Sequence, residues 1–93
     1  MILQVKLSPT AMASLDNLPQ DQKKRALRAV DLLEAGLEKQ LRPHRLRPNQ
    51  KLNSGRVSTE IRIIYKRVGD VIEVVDFVNH DLLLHIAKTS RGA

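Results

Sequence analysis

Arg62 and Lys66 stand four residues apart in TEIRIIYKRVGDVIEVVDFVNHD (residues 59–81), a run otherwise rich in isoleucine and valine, with His80 next to its end. Cations in mid-strand and a nearby histidine are residue types that act on an anion. More of them lie close by: Arg45, Arg47, Lys51 and Arg56 come before Arg62, Glu60 lies two residues before it, and His85 lies five after His80. One reaction needs little more, the cleavage of RNA by its own 2′-hydroxyl. It requires a base for that hydroxyl, cations around the phosphorus and a proton donor for the leaving 5′-oxygen. Arg62, Arg56 and Lys51 could supply the charge, and His85, His80 or Glu60 the proton transfer. Arg45, Arg47 and Lys66 would widen the phosphate-binding surface, which positions a nucleic acid without reading its sequence. The plainer alternatives are a solvated strand face for the cations and capping or surface roles for His80 and His85.

Other chemistries find no support. The chain has no cysteine, so disulfides, thiolate nucleophiles and cysteine zinc sites are excluded. Three histidines without an HExxH motif or an acidic cluster do not suggest a metal site. There is no glycine-rich phosphate loop, no nucleophile elbow and no evident carboxylate pair for glycoside chemistry. The expectation is that neither metal nor cofactor is used. Aromatic residues amount to 2%, Tyr65 and Phe77, so a stacking platform for bases is not expected and the core must be built from Leu, Ile and Val.

Charge follows the same residues. The net charge is +6, but residues 1–38 are balanced and residues 68–93 carry an excess of two acids. Residues 39–67 hold nine basic residues against Glu60 alone, a local excess of eight. Such a concentration suits a nucleic acid or the acidic surface of another protein. No basic leader with an apolar run opens the chain, and no stretch approaches membrane-spanning length, so a cytoplasmic protein without membrane contact is expected.

The elements that must position these residues can be read in outline. One domain, residues 1–93, is expected from length. Residues 2–7 form a strand, and Ser8-Pro9 reads as an N-cap with proline at the first helical position, opening a helix to about Asn17. A break at Leu18-Pro19 leads to a long amphipathic helix over 19–41, with Gly36 as a weak point. Residues 42–56 read as a basic loop with a short strand near Leu52 or 56–58, followed by a hairpin of 60–68 and 71–78 around Gly69-Asp70. The Leu82–Leu84 run in the tail must pack against something.

The expected fold is α+β, a small antiparallel sheet with an N-terminal helical hairpin packed on one face. A two-residue turn places Lys66 opposite Glu73, Ile64 opposite Val75 and Arg62 opposite Phe77 on a half-open face. Ile61, Ile63, Tyr65, Ile72, Val74 and Val78 then meet the helices, with Arg67 and an awkward Asp76 on the same side. Asp76 could lie at an edge, pair with an arginine, or be re-aimed by a bulge.

In this order and spacing, SPTAMASLDNLP, the long helix, QKLNSG and IRIIYKRVGDVIEVVDFVNHDLLLH resemble the RelE/ParE toxin superfamily of bacterial toxin–antitoxin systems. The resemblance spans nearly the whole chain. The arginine and tyrosine of the family's YRIIY-like strand fall on Arg62 and Tyr65, a basic residue of the preceding loop on Lys51, the histidine or lysine after the last strand on His80, and the near-terminal tyrosine or histidine on His85. The resemblance implies a ribosome-dependent mRNA endonuclease held inactive by a cognate antitoxin, small and acidic or amphipathic, through which the complex binds operator DNA. ParE-like relatives act instead on DNA gyrase, and a degenerate member would bind only its antitoxin and DNA. The chain departs from the pattern with Asp81 in place of an arginine, Asn79 in place of a glycine, and a short segment between Gly55 and Arg62. The strand expected in that segment is either truncated or begins nearer Leu52.

Overall fold

A computed structural model describes residues 3–46 and 51–79. The first strand, β1, is Gln4–Leu7. Ser8 ends it and starts α1, Pro9–Asp16, by accepting the Ala11 N–H on its hydroxyl at 3.0 Å, with Pro9 at the first helical position where its missing N–H costs nothing. After Pro19, α2 runs over Gln20–Glu34. It stops short of residue 41 because Gly36 takes the left-handed conformation, φ 76°. The Gly36 and Leu37 N–H groups then bond the Leu33 and Leu32 carbonyls at 3.1 and 2.8 Å, a Schellman ending that satisfies the last turn. A short 3-10 helix, Glu38–Leu41, follows.

The stretch expected to be mainly loop carries two short strands, β2 (His44–Arg45) and β3 (Asn53–Arg56). The strand before Arg62 thus begins close to Leu52. The hairpin is as expected: β4 is Ile61–Val68 and β5 is Val71–Asn79. Gly69 turns it with φ 62°, while Asp70 keeps a negative φ, the signs of a type II′ turn.

The five strands lie in the order β1-β5-β4-β3-β2. The antiparallel sheet expected from sequence is in fact mixed, because β1 runs parallel to β5 from Gln4↔Val71 to Leu7↔Val74. A parallel pair needs a long crossover, and everything between the two strands provides it. A second correction concerns register. Pairing follows the expectation from the turn to Tyr65↔Val74, then shifts, so that Ile64 pairs with Asp76 and Val75 is the extra residue of a bulge.

Beyond the bulge, Phe77 lies opposite Ile63 and is buried in the core, not opposite Arg62. Val78, expected in the core, is the residue opposite Arg62 and is only half-buried. Asp76 accepts from the Ser14 hydroxyl at 2.5 Å and the Phe77 N–H at 2.8 Å, so α1 rather than an arginine partners it. Ser8 satisfies the bulge by donating its hydroxyl to the Val75 carbonyl at 2.6 Å. Ala11, Ala26, Ala29 and Leu33 of the helices meet Ile61, Ile63, Tyr65, Ile72, Val74 and Phe77 of the sheet in one core. Among the described residues no helix is long and apolar enough to cross a membrane.

Candidate functional site

Between β3 and β4 the chain turns through VSTE, and Ser58 organises that turn. Its hydroxyl accepts the Ile61 N–H at 3.1 Å and the Glu60 N–H at 3.3 Å, and donates to Gln22 Oε1 of α2 at 2.7 Å. Serine hydroxyls favour such turns because they bond nearby backbone. The Ser58 carbonyl in turn accepts from Arg62 Nη1 at 2.8 Å, with a longer contact from the same nitrogen to the Ile61 carbonyl at 3.4 Å. The Arg62 guanidinium is thereby held at the head of β4 with several donors uncommitted among the described residues.

Arg56 is the residue directly opposite Arg62 in the β3–β4 register. Like charges in that position repel, and neither arginine pairs with a carboxylate among the described residues. Partial burial, then the Arg56 charge, lower the pKa of Arg62 below its ordinary value. Arginine remains cationic at neutral pH all the same. Two arginines opposed in register, neither paired with an acid among the described residues, form a site whose repulsion an oxyanion would relieve. Glu60 sits exposed in the turn, two residues from Arg62, and forms no ion pair with it.

Four residues along β4, on the order of 13 Å away at strand rise, the cations gather again. Arg45, Lys51, Lys66 and Arg67, with Asn53 and Val68, line a cleft of about 540 Å³ whose described lining includes no carboxylate. Lys66 lies 3.4 Å from Glu73, the cross-strand pair expected from the register. Arg67 donates its Nε to the Gly69 carbonyl at 3.0 Å. Its alternation places it on the core side, yet it is exposed at the turn end of the hairpin.

The expected residues thus fall into two groups: Arg56 and Arg62 at one end of β4, with Glu60 beside them, and Arg45, Lys51 and Lys66 at the other. Arg47, His80 and His85 lie outside the described residues, as does Asp81. Sequence reasoning missed Ser58, whose STE turn between two strands was the available signal. Arg67 was missed because alternation alone assigned it to the core. The bond from the buried Tyr65 hydroxyl to Glu38 Oε2, 2.5 Å, was missed too. It ties the 3-10 helix to β4 and holds the sheet that carries Arg62.

No family model matches the chain, and neither does any curated protein sequence. Solved structures do. YafQ from E. coli strain BL21(DE3) superposes with a TM-score of 0.71 at 14% identity, over 87% of this chain and 97% of that one. RelE in the archaeal RelE–RelB complex from Pyrococcus horikoshii OT3 gives 0.69 at 22% identity, over 85% and 96%. The YoeB dimer from Staphylococcus aureus gives 0.68 at 17% identity, over 86% and 99%. At such identities the likeness concerns architecture: this chain has the fold shared by RelE, YoeB and YafQ.

Proposed function

We propose that this protein is the toxin of a toxin–antitoxin pair, and that it cleaves mRNA on the ribosome without a metal, using the 2′-hydroxyl of the RNA as nucleophile. The observation that carries this reading is the Arg56–Arg62 pair, anchored at the Ser58 carbonyl on a fold shared with RelE, YoeB and YafQ. In this reading Arg62 and Arg56 hold the scissile phosphate and stabilise its developing charge. The basic cleft at the other end of β4, with Arg45, Lys51 and Lys66, holds the neighbouring backbone, and Arg47, outside the described residues, is a further candidate for phosphate binding. Proton transfer falls to His85 or His80, with Glu60 as the alternative base. RelE, YoeB and YafQ have each been solved in complex with a partner, RelB, YefM and DinJ. By the same likeness, a small acidic or amphipathic antitoxin is the partner of this chain, in the cytoplasm, and carries the pair to operator DNA.

Expression of the protein should arrest growth and cut mRNA within translated regions. Arg62→Ala should relieve both, with cleavage falling about a hundredfold or more, the usual loss for one charge-stabilising donor. Growth arrest with intact mRNA would sink the nuclease reading. Asp81, an acid where RNA-cleaving relatives carry a cation, favours a second reading as a ParE-like inhibitor of DNA gyrase. Unchanged supercoiling by purified gyrase in the presence of the protein would remove it.

A further inference from the structure

Gln22, Ala26, Ala29 and Leu33 follow one another at helical spacing on one side of α2. The last three belong to the core, and Gln22 is half-buried ahead of them. A glutamine at the head of an otherwise apolar stripe needs a partner for its amide. It finds one outside the helix layer: Gln22 Oε1 accepts from the Ser58 hydroxyl at 2.7 Å, 36 residues further along the chain.

Ser58 is 8% exposed, and its polar atoms are fully used. A serine hydroxyl has one proton and two acceptor lone pairs. The N–H groups of Glu60 and Ile61 take the lone pairs, and the proton goes to Gln22. The Ser58 N–H donates to the Ile61 carbonyl at 3.2 Å, and the Ser58 carbonyl accepts from Arg62 Nη1 at 2.8 Å. All of these bonds but one run among residues 58–62. They would survive in a turn that swung as a unit, and Thr59 and Glu60 at its tip are exposed. Among the described residues, the bond to Gln22 is the one side-chain hydrogen bond that joins this turn to a helix.

The kind of anchor matters as well. A carboxylate would orient Arg62 and neutralise it at once, whereas a backbone carbonyl orients the guanidinium and leaves its charge for an anion. A carbonyl, however, is only as well placed as the peptide that carries it. We infer that Gln22 is a positioning residue for Arg62, acting through Ser58, so that the first turn of α2 sets where the guanidinium stands. The tie rests on the geometry of these three residues, and its effect on cleavage rests on the proposed nuclease reading. In that reading the guanidinium must meet the phosphate as charge develops, and a misplacement of about 1 Å can slow such a step about a hundredfold.

Gln22→Leu removes the acceptor and keeps a good helix former. Gln22→Met, straight and of similar length, repeats the test if the branched side chain prevents folding, which circular dichroism checks. The first readout is ¹⁵N relaxation of the Arg62 Nε–H group in the full chain, its signal assigned by its loss in Arg62→Ala. The group should be rigid in the wild type, and its order parameter should fall below about 0.6 in Gln22→Leu. The second readout is steady-state cleavage of mRNA on programmed ribosomes, well below the melting temperature of each variant. Gln22→Leu should lower kcat about tenfold and leave KM within about twofold, the mark of an interaction made in the transition state. In an Arg62→Ala background it should add nothing, because it acts through that arginine.

A glutamine with a structural role alone would lower the melting temperature and leave the Arg62 order parameter and kcat unmoved, which would overturn the inference. An Arg62 side chain already mobile in the wild type would overturn it too, as would a loss confined to KM or one that adds in full to Arg62→Ala. The relaxation measurement involves no RNA. A wild type that cuts no mRNA but loses Arg62 order in Gln22→Leu would forfeit the nuclease reading and keep the positioning role.

Discussion

Arg56 and Arg62 oppose each other where strand pairing would favour opposite charges, and this repulsion is carried by the folded state. Replacing Arg56 by threonine removes it and leaves a residue suited to a strand. Arg56→Thr should therefore be more stable than the wild type, by about 0.2–1 kcal/mol at low salt, the range for cross-strand pairs. It should nevertheless cleave RNA more slowly. Urea unfolding and a cleavage assay on the same preparation check both halves, and a variant that is both less stable and fully active would contradict the assignment. Tyr65 makes the opposite kind of contribution. Its burial, and then its bond to Glu38, raise the hydroxyl pKa above its ordinary value near 10. The folded protein thus keeps this proton where the unfolded chain would lose it. The stabilisation is whole below about pH 10 and falls as the pH rises beyond that. Tyr65→Phe should cost about 1–2 kcal/mol at neutral pH through the lost bond to a charged acceptor. Its stability should decline less steeply than that of the wild type above about pH 10, as unfolding at stepped pH would show.

At the scale of elements, local signals were legible and long-range ones were not. Ser8-Pro9, Gly36 and Gly69-Asp70 each act on their own neighbours, and each marks a boundary where the chain caps, ends a helix or turns. The face of β4 that carries Arg62 followed from alternation, and its opposition to Glu73 through Lys66 followed from the turn. The bulge could not be placed in the same way. It depends on Val75 finding a donor for its carbonyl, and that donor is the Ser8 hydroxyl, 67 residues earlier in the chain. The parallel position of β1 is equally non-local. Arg56 entered the sequence reading as a candidate phosphate-binding cation, but its place directly opposite Arg62 was not legible, because it depends on how far the VSTE turn reaches. Ser8 consequently has two tasks, capping α1 and satisfying the bulge that sends Phe77 into the core. Ser8→Ala should cost about 1–2 kcal/mol, at or above a cap alone, measured by urea unfolding. Ser8→Gly should not restore the loss, since glycine replaces a cap's backbone freedom but cannot bond the Val75 carbonyl; recovery in Ser8→Gly would show that capping was the whole effect.

Among the described residues, cations of the basic segment 39–67 stand at both ends of β4 rather than gathering at one point. Arg56 and Arg62 stand at one end of that strand, and Arg45, Lys51, Lys66 and Arg67 line the cleft at the other. A ligand that meets both ends must be longer than one phosphate, and the contacts along it are ionic rather than base-reading. Binding of a single-stranded oligonucleotide should therefore weaken linearly on a log–log scale with salt, by about 0.7 per phosphate contacted. Arg45→Ala removes one contact in the cleft and none at the Arg62 site. It should flatten the slope by about 0.7, and lower affinity to a similar degree for oligonucleotides of different sequence. A 2′-deoxy substrate analogue, which lacks the nucleophile for the proposed cleavage, allows this measurement on the intact protein. If Arg45→Ala leaves the slope unchanged, or weakens one sequence and spares another, the cleft does not hold the backbone, and the length of RNA bound must be set by the Arg62 end alone.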